Sequence, residues 1–439
     1  MTKSAPADED LAWTVAERAA RGGAYAAKLL ADTFHRRRDL DAARKKHIAE
    51  ISYGLLRRAR TLELAADLAG APNRRRVMLA MRARLDDPAL APDAWSELEP
   101  ALAELSPSLR VAVEGSFPEW LAERLIDDFG REEASRLARA LSSAPPTDVR
   151  ANRDRDALIA ALEGEGVGAD PLPRTRLGAR LRDEPRDLFA TRAFREGAFE
   201  LQDEGSQLVA ELVAPNPGAL VVDACAGEGG KTLAIAAQLG GRGRIIACDV
   251  APQKLEALKR RAARAGVTNV QTVAIDREGP LPSSLANLAS RADRVLVDAP
   301  CSGVGTFRRN PEARQRLDRA ATSRLAREQR AIGARFAPLV APGGRLIYAT
   351  CTVLREEDEA SAEAIARDAG FVVMRVAEIW GNARAADVAD PSGTYLRLFP
   401  HVHGTDGFFG AVLRRPRVSR QSSVISHAKS SRPTTETDG

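Results

Sequence analysis

The chain has 439 residues, of which 44% are hydrophobic, so it is long enough to build two or three domains, each with its own core. Its formal net charge of +5 is too small for this length to indicate nucleic-acid binding by itself. The four cysteines form no Cys-x-x-Cys pair, which argues against a zinc cluster, and no apolar run reaches the roughly 18 residues of a membrane helix.

The sequence predicts an all-α domain for residues 8–143. They are rich in Ala, Leu, Arg and Glu, and their apolar residues recur every three or four positions, as in AYAAKLLADTF and ISYGLLRRARTLELAADL. The polar start, MTKSAPADED, lacks the apolar core of a secretory signal, so we expect a cytoplasmic protein. The segment SSAPPTD then breaks the helical pattern and marks a domain boundary.

The rest of the chain predicts a small α+β subdomain followed by a larger α/β domain. Residues 147–205 mix short extended segments with one helix, RDALIAALEGEG. Residues 206–416 alternate β-branched strands with helices, which predicts a Rossmann-like, doubly wound parallel sheet. The polar residues 417–439 predict a disordered tail. The expected strands are ALVVDA, RIIACDV, NVQTVAI, DRVLVDAP, RLIYATC and FFGAVLRR.

The segment DACAGEGGKT, which closes the first of these strands, is rich in glycine and ends in Gly-Lys-Thr. A phosphate-binding Walker loop needs a glycine five positions before the glycine of its Gly-Lys pair, and Cys225 stands there instead. A side chain at that position hinders the tight wrap of the backbone around a phosphate. A nucleotide hydrolase that uses Lys231 is therefore a disfavoured alternative.

Another spacing fits a nucleoside cofactor better. Asp223 closes the strand, and Gly227 and Gly229 form the turn into the next helix. Asp249 ends the next strand about 20 residues later, where an acid can accept hydrogen bonds from ribose hydroxyls. Dinucleotides and S-adenosylmethionine both use this arrangement, but Glu228 would repel a pyrophosphate, which favours S-adenosylmethionine. A tight strand–helix turn without a ligand is the plainer alternative.

Two cysteines follow apolar strands, Cys301 in VLVDAPCSGVGTFRRNP and Cys351 in LIYATCTV. Because ligands bind beyond the carboxyl ends of parallel strands, we expect both to lie with Asp298 on the edge that carries the glycine turn. Their small and polar neighbours make a simple packing role less fitting than it is for Cys225 and Cys248. A thiol on such a loop can act as a nucleophile.

A thiolate beside a methyl donor suggests methylation at carbon 5 of a pyrimidine. Carbon 5 is a poor nucleophile until a thiolate adds to carbon 6 of the ring. An acid must then stabilise charge at the N3 and amino edge, and Asp298 is placed to do so. A base finally removes the proton from carbon 5, and the thiol is expelled.

These motifs resemble those of the Sun-type (Nop/Sun) RNA cytosine-5 methyltransferases. The sequence departs from the family's cofactor motif at Gly227 and Glu228, where Ala and Pro are usual. The similar segments, which together span about residues 145–415, are LQDEGSQLVAELV, DACAGEGGKT, DAPCSGVGTFRRNP, YATCTVLREED and RLFPHVHGTDGFFGAVLRR.

The resemblance implies S-adenosylmethionine as the cofactor and unequal roles for the two cysteines, and the lack of a Cys-x-x-Cys pair predicts that there is no metal. Cys351 would be the nucleophile, Cys301 would assist release of the methylated base, and Asp298 would contact the cytosine. The cofactor contacts implied by the resemblance are Cys225, Ala226, Gly227, Glu228, Gly229, Gly230, Lys231, Asp249, Asp276 and Asp298.

The helical domain resembles NusB-like RNA-binding domains through the segment ISYGLLRRARTLELAADL. A NusB-like domain ahead of a Sun-type catalytic domain is the layout of bacterial RsmB-type enzymes, which methylate small-subunit (16S) ribosomal RNA. The layout implies 16S rRNA as the substrate. We also expect a monomer and, because no apolar run is long enough to cross a membrane, no membrane partner. A transfer RNA methyltransferase and a non-catalytic RNA-binding assembly factor are the alternatives.

Clusters of basic residues predict where RNA contacts the protein. The segments HRRRDLDAARKKH, RRAR and NRRR lie in the helical domain, where RNA contact and an ordinary charged helix surface fit equally well. The segment FRRNPEARQRLDR adjoins Cys301, which favours RNA contact there. Phe307 within it is a candidate for stacking on a base.

Overall fold

The computed structural model describes residues 7–22, 24–70, 72–182, 187–417 and 439. Residues 418–438, which make up nearly all of the predicted tail 417–439, lie outside these ranges. Within the ranges, no helix combines the length and the apolar character that a membrane-spanning segment requires.

The N-terminal part of the chain is helical, as its apolar periodicity predicts. The residues at three- and four-residue spacing point inward: Leu30, Leu55 and Leu62 are each at most 5% exposed and share the core with alanines that let the helices approach closely. The helices are α1 (Asp8–Ala20), α2 (Ala26–Arg36), α3 (Ala42–Arg57), α4 (Ala59–Leu68), α5 (Arg74–Asp86), α6 (Ala91–Ala103), α7 (Pro107–Gly115), α8 (Glu119–Phe129) and α9 (Arg131–Leu141).

A small antiparallel sheet follows the helices, in agreement with the predicted α+β character. In the described ranges its strand order is β2-β3-β1-β4, and Val149, Leu158 and Phe199 fill the core between the sheet and its longer helix. The elements are β1 (Asp148–Ala151), α10 (Arg155–Gly164), β2 (Ala169–Pro171), β3 (Gly178–Leu181), α11 (Arg192–Arg195) and β4 (Phe199–Leu201).

The remaining described residues form the larger α/β domain. Its elements are α12 (Glu204–Leu212), β5 (Leu220–Asp223), α13 (Gly230–Leu239), β6 (Arg244–Asp249), α14 (Pro252–Arg264), β7 (Val270–Ala274), α15 (Ser283–Ala286), β8 (Ala292–Asp298), α16 (Arg319–Phe336), β9 (Val340–Thr350), α17 (Glu359–Ala369), β10 (Val372–Met374), α18 (Ala377–Trp380), α19 (Asn382–Ala386), β11 (Leu396–Leu398), α20 (Pro400–His403) and β12 (Phe408–Arg414).

The large sheet confirms the Rossmann-like prediction and adds an antiparallel end. Its order is β10-β12-β9-β8-β5-β6-β7, with β11 paired to β12. The strands from β9 to β7 pair in parallel, whereas β12 runs antiparallel to β9. The central strands are continuous apolar runs because both of their faces are covered. The carboxyl ends of five parallel strands therefore meet at one edge.

The helical domain packs directly on the segment that follows Cys301. Phe307 is fully buried in a cluster with residues of α7–α9, and its ring centroid lies 5.9 Å from that of Phe117. The prediction that Phe307 stacks on a base is therefore wrong, because the ring has no exposed face. Its side chain instead joins the helical domain to the large domain.

The arginines of the same segment are also structural. Arg308 is 3% exposed and donates to Asp406 at 2.5 Å. Arg314 is 1% exposed and donates to the carbonyl oxygens of Arg57 and Leu141, each at 2.6 Å. The expectation that the segment as a whole contacts RNA fails for these two arginines, because both are buried and donate to groups of the protein.

Replacing Phe307 by alanine should lower the free energy of unfolding by about 3–5 kcal/mol, because the change leaves a cavity between two domains. Urea unfolding measures this loss, and Phe189→Ala, which truncates a 56% exposed ring, is the matched control. If Phe307→Ala keeps wild-type stability but binds RNA more weakly, the result would support stacking of the Phe307 ring on a base.

Candidate active site

The residues predicted from the sequence gather at the carboxyl edge of the large sheet. Asp223, Asp249 and Asp298 are the last residues of β5, β6 and β8. Cys351 directly follows β9, and Cys301 lies three residues beyond the end of β8. Asp276 follows β7 at the end of the sheet and is exposed. The sheet thus brings all the predicted acids and both cysteines to one side of the domain.

The glycine loop between β5 and α13 depends on two left-handed glycines. Gly229 has φ +90°, and an added Cβ would lie 2.0 Å from Leu258 Cδ1, so no other residue fits without movement. Gly227 has φ +55° and open space around it, so glycine serves only the backbone conformation there. The N–H of Gly227 donates to Asp249 Oδ2 at 2.8 Å, which fixes the loop against the end of β6.

The outer side of the loop is fixed to the small sheet. Glu228 is exposed, but its carbonyl oxygen accepts a hydrogen bond from Arg261 Nη1 at 2.8 Å. The same arginine donates through Nε to Glu200 of β4 at 3.0 Å. Arg261 on α14 therefore links the glycine loop to the preceding domain, a role that the sequence did not indicate.

Two acids at the ends of β5 and β6 can still accept hydrogen bonds from a ligand. Asp223 is 1% exposed; Thr232 donates to its Oδ2 at 2.7 Å, while Oδ1 has no partner among the described residues. Asp249 accepts one backbone N–H on each oxygen, from Gly227 and Ala251, which leaves further lone pairs. These acceptors fit an ammonium and ribose hydroxyls, the donors that S-adenosylmethionine carries, and the glycines leave room for it.

The replacement Asp223→Asn should change how stability depends on pH. Burial raises the pKa of Asp223 from 3.8 to about 7, so the folded protein holds this proton while the unfolded chain has lost it. The wild type therefore loses the contribution of Asp223 to its stability as the pH rises towards 7, and the asparagine variant has no such contribution to lose. From pH 5 to pH 8 the variant should gain about 2–3 kcal/mol relative to the wild type in urea unfolding without cofactor. A constant difference across this range contradicts the shift.

The two strand-end cysteines are in direct contact. Their sulfurs lie 3.4 Å apart, and the backbone N–H of Cys351 also points to Cys301 Sγ at 3.4 Å. Both are partly exposed free thiols. The hydrogen bond to Cys351, together with burial, raises the pKa of Cys301, so Cys301 keeps its proton and can share it with the Cys351 sulfur. The pair is therefore unequal, because Cys301 is the thiol that holds the shared proton.

A partly buried ion pair lies beside the cysteines. Lys231 Nζ, on the first turn of α13, lies 2.7 Å from Asp298 Oδ2. Burial opposes the charge on Lys231, but Asp298 and, more weakly, Cys351 raise its pKa, so it remains an ammonium. The Lys231 ammonium also lies over the Phe408 ring, with Nζ 5.2 Å from the ring centroid. The sequence placed Lys231 in the cofactor loop but gave no sign of its pairing with Asp298.

A second buried carboxylate holds the Cys301 loop in place. Glu357 is fully buried, and its Oε2 accepts from the Ser302 N–H and from Gln329 Nε2, each at 2.8 Å. Gln329 also donates to the carbonyl of Pro300 at 3.1 Å, so the backbone is fixed on both sides of Cys301. Ser302 and Thr352, each the residue after a cysteine, join the two loops through hydroxyls 2.9 Å apart.

The other two cysteines differ from this pair. Cys248 is fully buried in β6, and burial raises its pKa. Burial likewise raises the pKa of Cys225, which packs against the core under the glycine loop. Neither is a candidate nucleophile. Among the residues that the structure describes, no group of three or more His, Cys, Asp or Glu side chains is arranged to hold a metal ion.

Two family models match the chain. Residues 210–414 match the model described as 16S rRNA methyltransferase RsmB/F. Residues 117–186, from just before α8 to just beyond β3, match the ferredoxin-like domain of the RsmF/B-like methyltransferases. The match to the first model covers the glycine loop and both strand-end cysteines.

Similar proteins extend this likeness along the chain. The probable ribosomal RNA small subunit methyltransferase B of Bacillus subtilis (strain 168) is 32% identical over 314 residues, which cover 70% of this chain and 68% of that protein. The crystal structure of PH0851 is similar with a TM-score of 0.72 at 23% identity, over 94% of this chain and 100% of that one. The structure of NSun6 from Pyrococcus horikoshii with SFG gives a TM-score of 0.59 at 24% identity, over 68% and 98%. The structural likenesses establish the fold.

The sheet, the glycine loop and the acids at its strand ends define an S-adenosylmethionine-dependent methyltransferase. The predicted cofactor, S-adenosylmethionine, is thereby confirmed. The chain belongs to the 16S rRNA methyltransferase RsmB/F family. The Sun-type resemblance of the catalytic motifs is confirmed with it.

Proposed function

We propose that this protein methylates carbon 5 of cytosine in RNA of the small ribosomal subunit, with Cys351 as the covalent nucleophile. The observation that carries the proposal is the pair of thiols 3.4 Å apart at the edge that holds the glycine loop. Methylation of oxygen or of an exocyclic nitrogen needs no such pair, because those atoms are nucleophiles already. Carbon 5 needs activation by a thiolate.

The first step uses the charges around Cys351. The Cys351 thiolate adds to carbon 6, so that a C–S bond forms and the electrons of the ring double bond move towards N3. A proton delivered through the Lys231–Asp298 pair neutralises the charge at N3. Carbon 5 is now the end of an enamine and is nucleophilic.

Methyl transfer and release complete the cycle. When bound, S-adenosylmethionine supplies an electrophilic methyl group on a sulfonium. After carbon 5 is methylated, N3 returns its proton, carbon 5 loses its own proton, and the C–S bond breaks with its electrons going to sulfur. Cys301 donates its S–H to the departing Cys351 sulfur and, as a thiolate, can accept the carbon 5 proton. One proton in total passes to solvent.

The proposed cofactor contacts follow the glycine loop and the strand ends. Asp249 would hold the ribose, Asp223 would accept from the ammonium, and the backbone of Gly227 and Gly229 would lie beneath the ligand. The exposed Asp276 would contact the base end of the cofactor at the neighbouring strand. The remaining proposed contacts are Cys225, Ala226, Glu228, Gly230, Lys231 and Asp298.

Ribosomal RNA is the proposed substrate because the family model and the relative from Bacillus subtilis both carry that substrate in their names. The helical domain, which resembles NusB-like domains, would contribute RNA contacts. Exposed arginines on its surface, such as Arg36 and Arg38, are available for phosphates.

Methylation in vitro tests this function. Purified protein, labelled S-adenosylmethionine and either 16S rRNA or transfer RNA are incubated, and the RNA is digested to nucleosides for chromatography. We expect the label in 5-methylcytidine, from 16S rRNA only. Label in another nucleoside rejects the carbon 5 chemistry, whereas 5-methylcytidine from transfer RNA alone keeps the chemistry and rejects the substrate.

A further inference from the structure

A cavity of about 450 Å³ lies between the small sheet and the large domain, away from the cysteines. The second half of α13 forms one wall, and the loop that precedes β5 forms another. The glycine loop stands at the other end of α13, which has ten residues and so extends about 15 Å. The charged residues that line the cavity are Arg150, Arg153, Arg176, Glu211 and Arg384.

A buried arginine of this cavity has an unused donor. Arg150 on β1 is 2% exposed; its Nε donates to Gln202 Oε1 at 2.7 Å and its Nη1 to the carbonyl of Ala151 at 3.2 Å. Its Nη2 has no partner among the described residues. Burial lowers the pKa of Arg150 to about 10, so the guanidinium is still charged at neutral pH. A buried cationic donor without a partner is unfavourable, and an anion in the cavity would satisfy it.

The rim of the cavity adds further positive charge. Arg153 and Arg176 are exposed, and neither side chain forms an ion pair within the part of the chain that the structure describes. Arg384 is paired with Glu211, the acid of the lining, and lies over the Trp380 ring at 4.2 Å. The lining of the cavity thus contains four arginines and one glutamate.

A larger cavity in the helical domain lacks this imbalance. It has a volume of about 740 Å³ and is also lined by arginines. Its Arg110 and Arg139 both bond to Glu114, which is fully buried, and both also lie within ion-pair distance of Glu99. These cations are already neutralised. The smaller cavity is therefore the better anion site.

We propose that the cavity of Arg150 binds a phosphate group of the RNA backbone, at a nucleotide outside the catalytic site. The assignment to RNA rests on the proposed function. Arg153 and Arg176 extend the positive charge from the buried guanidinium to the surface, which suits a chain of successive phosphates better than one small anion. A free nucleotide offers the same phosphate chemistry and is the alternative source of the ligand.

The double variant Arg153→Ala/Arg176→Ala tests the site, because both residues are exposed and their loss should not disturb folding. Binding of 16S rRNA fragments is measured by fluorescence anisotropy over a range of salt concentrations. We expect affinity about tenfold or more weaker, and a slope of log affinity against log salt smaller by about 1.4, or about 0.7 for each lost phosphate contact. The rate of methyl transfer at saturating RNA should stay unchanged. Arg367→Ala, whose side chain on α17 is 72% exposed, is the matched control.

The other outcomes separate the alternatives. Unchanged RNA affinity and salt slope in the double variant overturn the proposal. Calorimetric titration with AMP gives the second arm: AMP binding that disappears in the double variant, with RNA affinity intact, assigns the cavity to a free nucleotide and also overturns it. If RNA binding depends on both arginines but no 5-methylcytidine forms, the proposed chemistry fails and the phosphate site stands.

Discussion

Cys351→Ala is expected to lower methyl transfer by at least about 1,000-fold, because carbon 5 is not activated once the proposed nucleophile is gone. Binding of S-adenosylmethionine, measured by calorimetric titration, should stay within about twofold of the wild type, since the glycine loop and its hydrogen bond to Asp249 do not involve this sulfur. The loss should therefore lie in the chemical step.

Cys248→Ala is the matched control for that experiment. It also removes one thiol from the large domain, but from the buried core of β6 rather than from the strand edge. It should keep nearly full transfer activity when the protein is folded. Transfer by Cys351→Ala at the rate of this control would reject covalent catalysis through Cys351.

Cys301→Ala is expected to form the covalent protein–RNA adduct and to release it slowly. The change removes the thiol that lies 3.4 Å from Cys351 Sγ and that helps the sulfur to leave. One round of methyl transfer should proceed, while steady-state turnover falls by about 100-fold or more, the usual contribution of a proton-transfer group. A denaturing gel with labelled RNA shows the trapped species directly.

The double variant Cys301→Ala/Cys351→Ala controls for adducts formed elsewhere, and it should give no trapped band. Normal turnover of Cys301→Ala without a trapped species would show that release does not need this thiol. In that case the contact between the two sulfurs would have only a structural role.

The strands of the large sheet were predictable because buried parallel strands leave a strong signal in the sequence. The runs that end at Asp223, Asp249 and Asp298 are apolar, β-branched and bounded by turn residues, and each is a strand. Their direction placed the acids and cysteines on one edge. The strands β10 and β11 have three residues each, too short for periodicity to be recognised, and their antiparallel pairing with β12 depends on tertiary contacts.

The basic segment after Cys301 shows what a sequence pattern cannot predict. A run of arginines beside an active site has the same composition whether it faces RNA or a neighbouring domain. Arg308 donates to the carboxylate of Asp406 within its own domain, whereas Arg314 donates to carbonyl oxygens of the helical domain. Those acceptors lie far away in the sequence, so no local pattern reveals them.

The contacts that support the site could likewise not be predicted from the sequence. The residue types at Lys231, Asp298 and Glu357 were visible in the motifs, but the pairing of Lys231 with Asp298 spans 67 positions. Glu357 holds the Ser302 N–H from 55 positions away. Such long-range pairs form only when the strands and loops have assembled into the domain, so no local pattern in the sequence predicts them.

Mass spectrometry of a trapped complex tests most directly whether Cys351 forms the bond to the base. RNA with 5-fluorocytidine at the target blocks release, because fluorine at carbon 5 cannot leave as the proton does. We expect proteolysis of the wild-type complex to yield a modified peptide with the nucleotide attached at Cys351. Attachment at Cys301, or full methylation of ordinary RNA with no attachment of the fluorinated RNA at any cysteine, would contradict this mechanism.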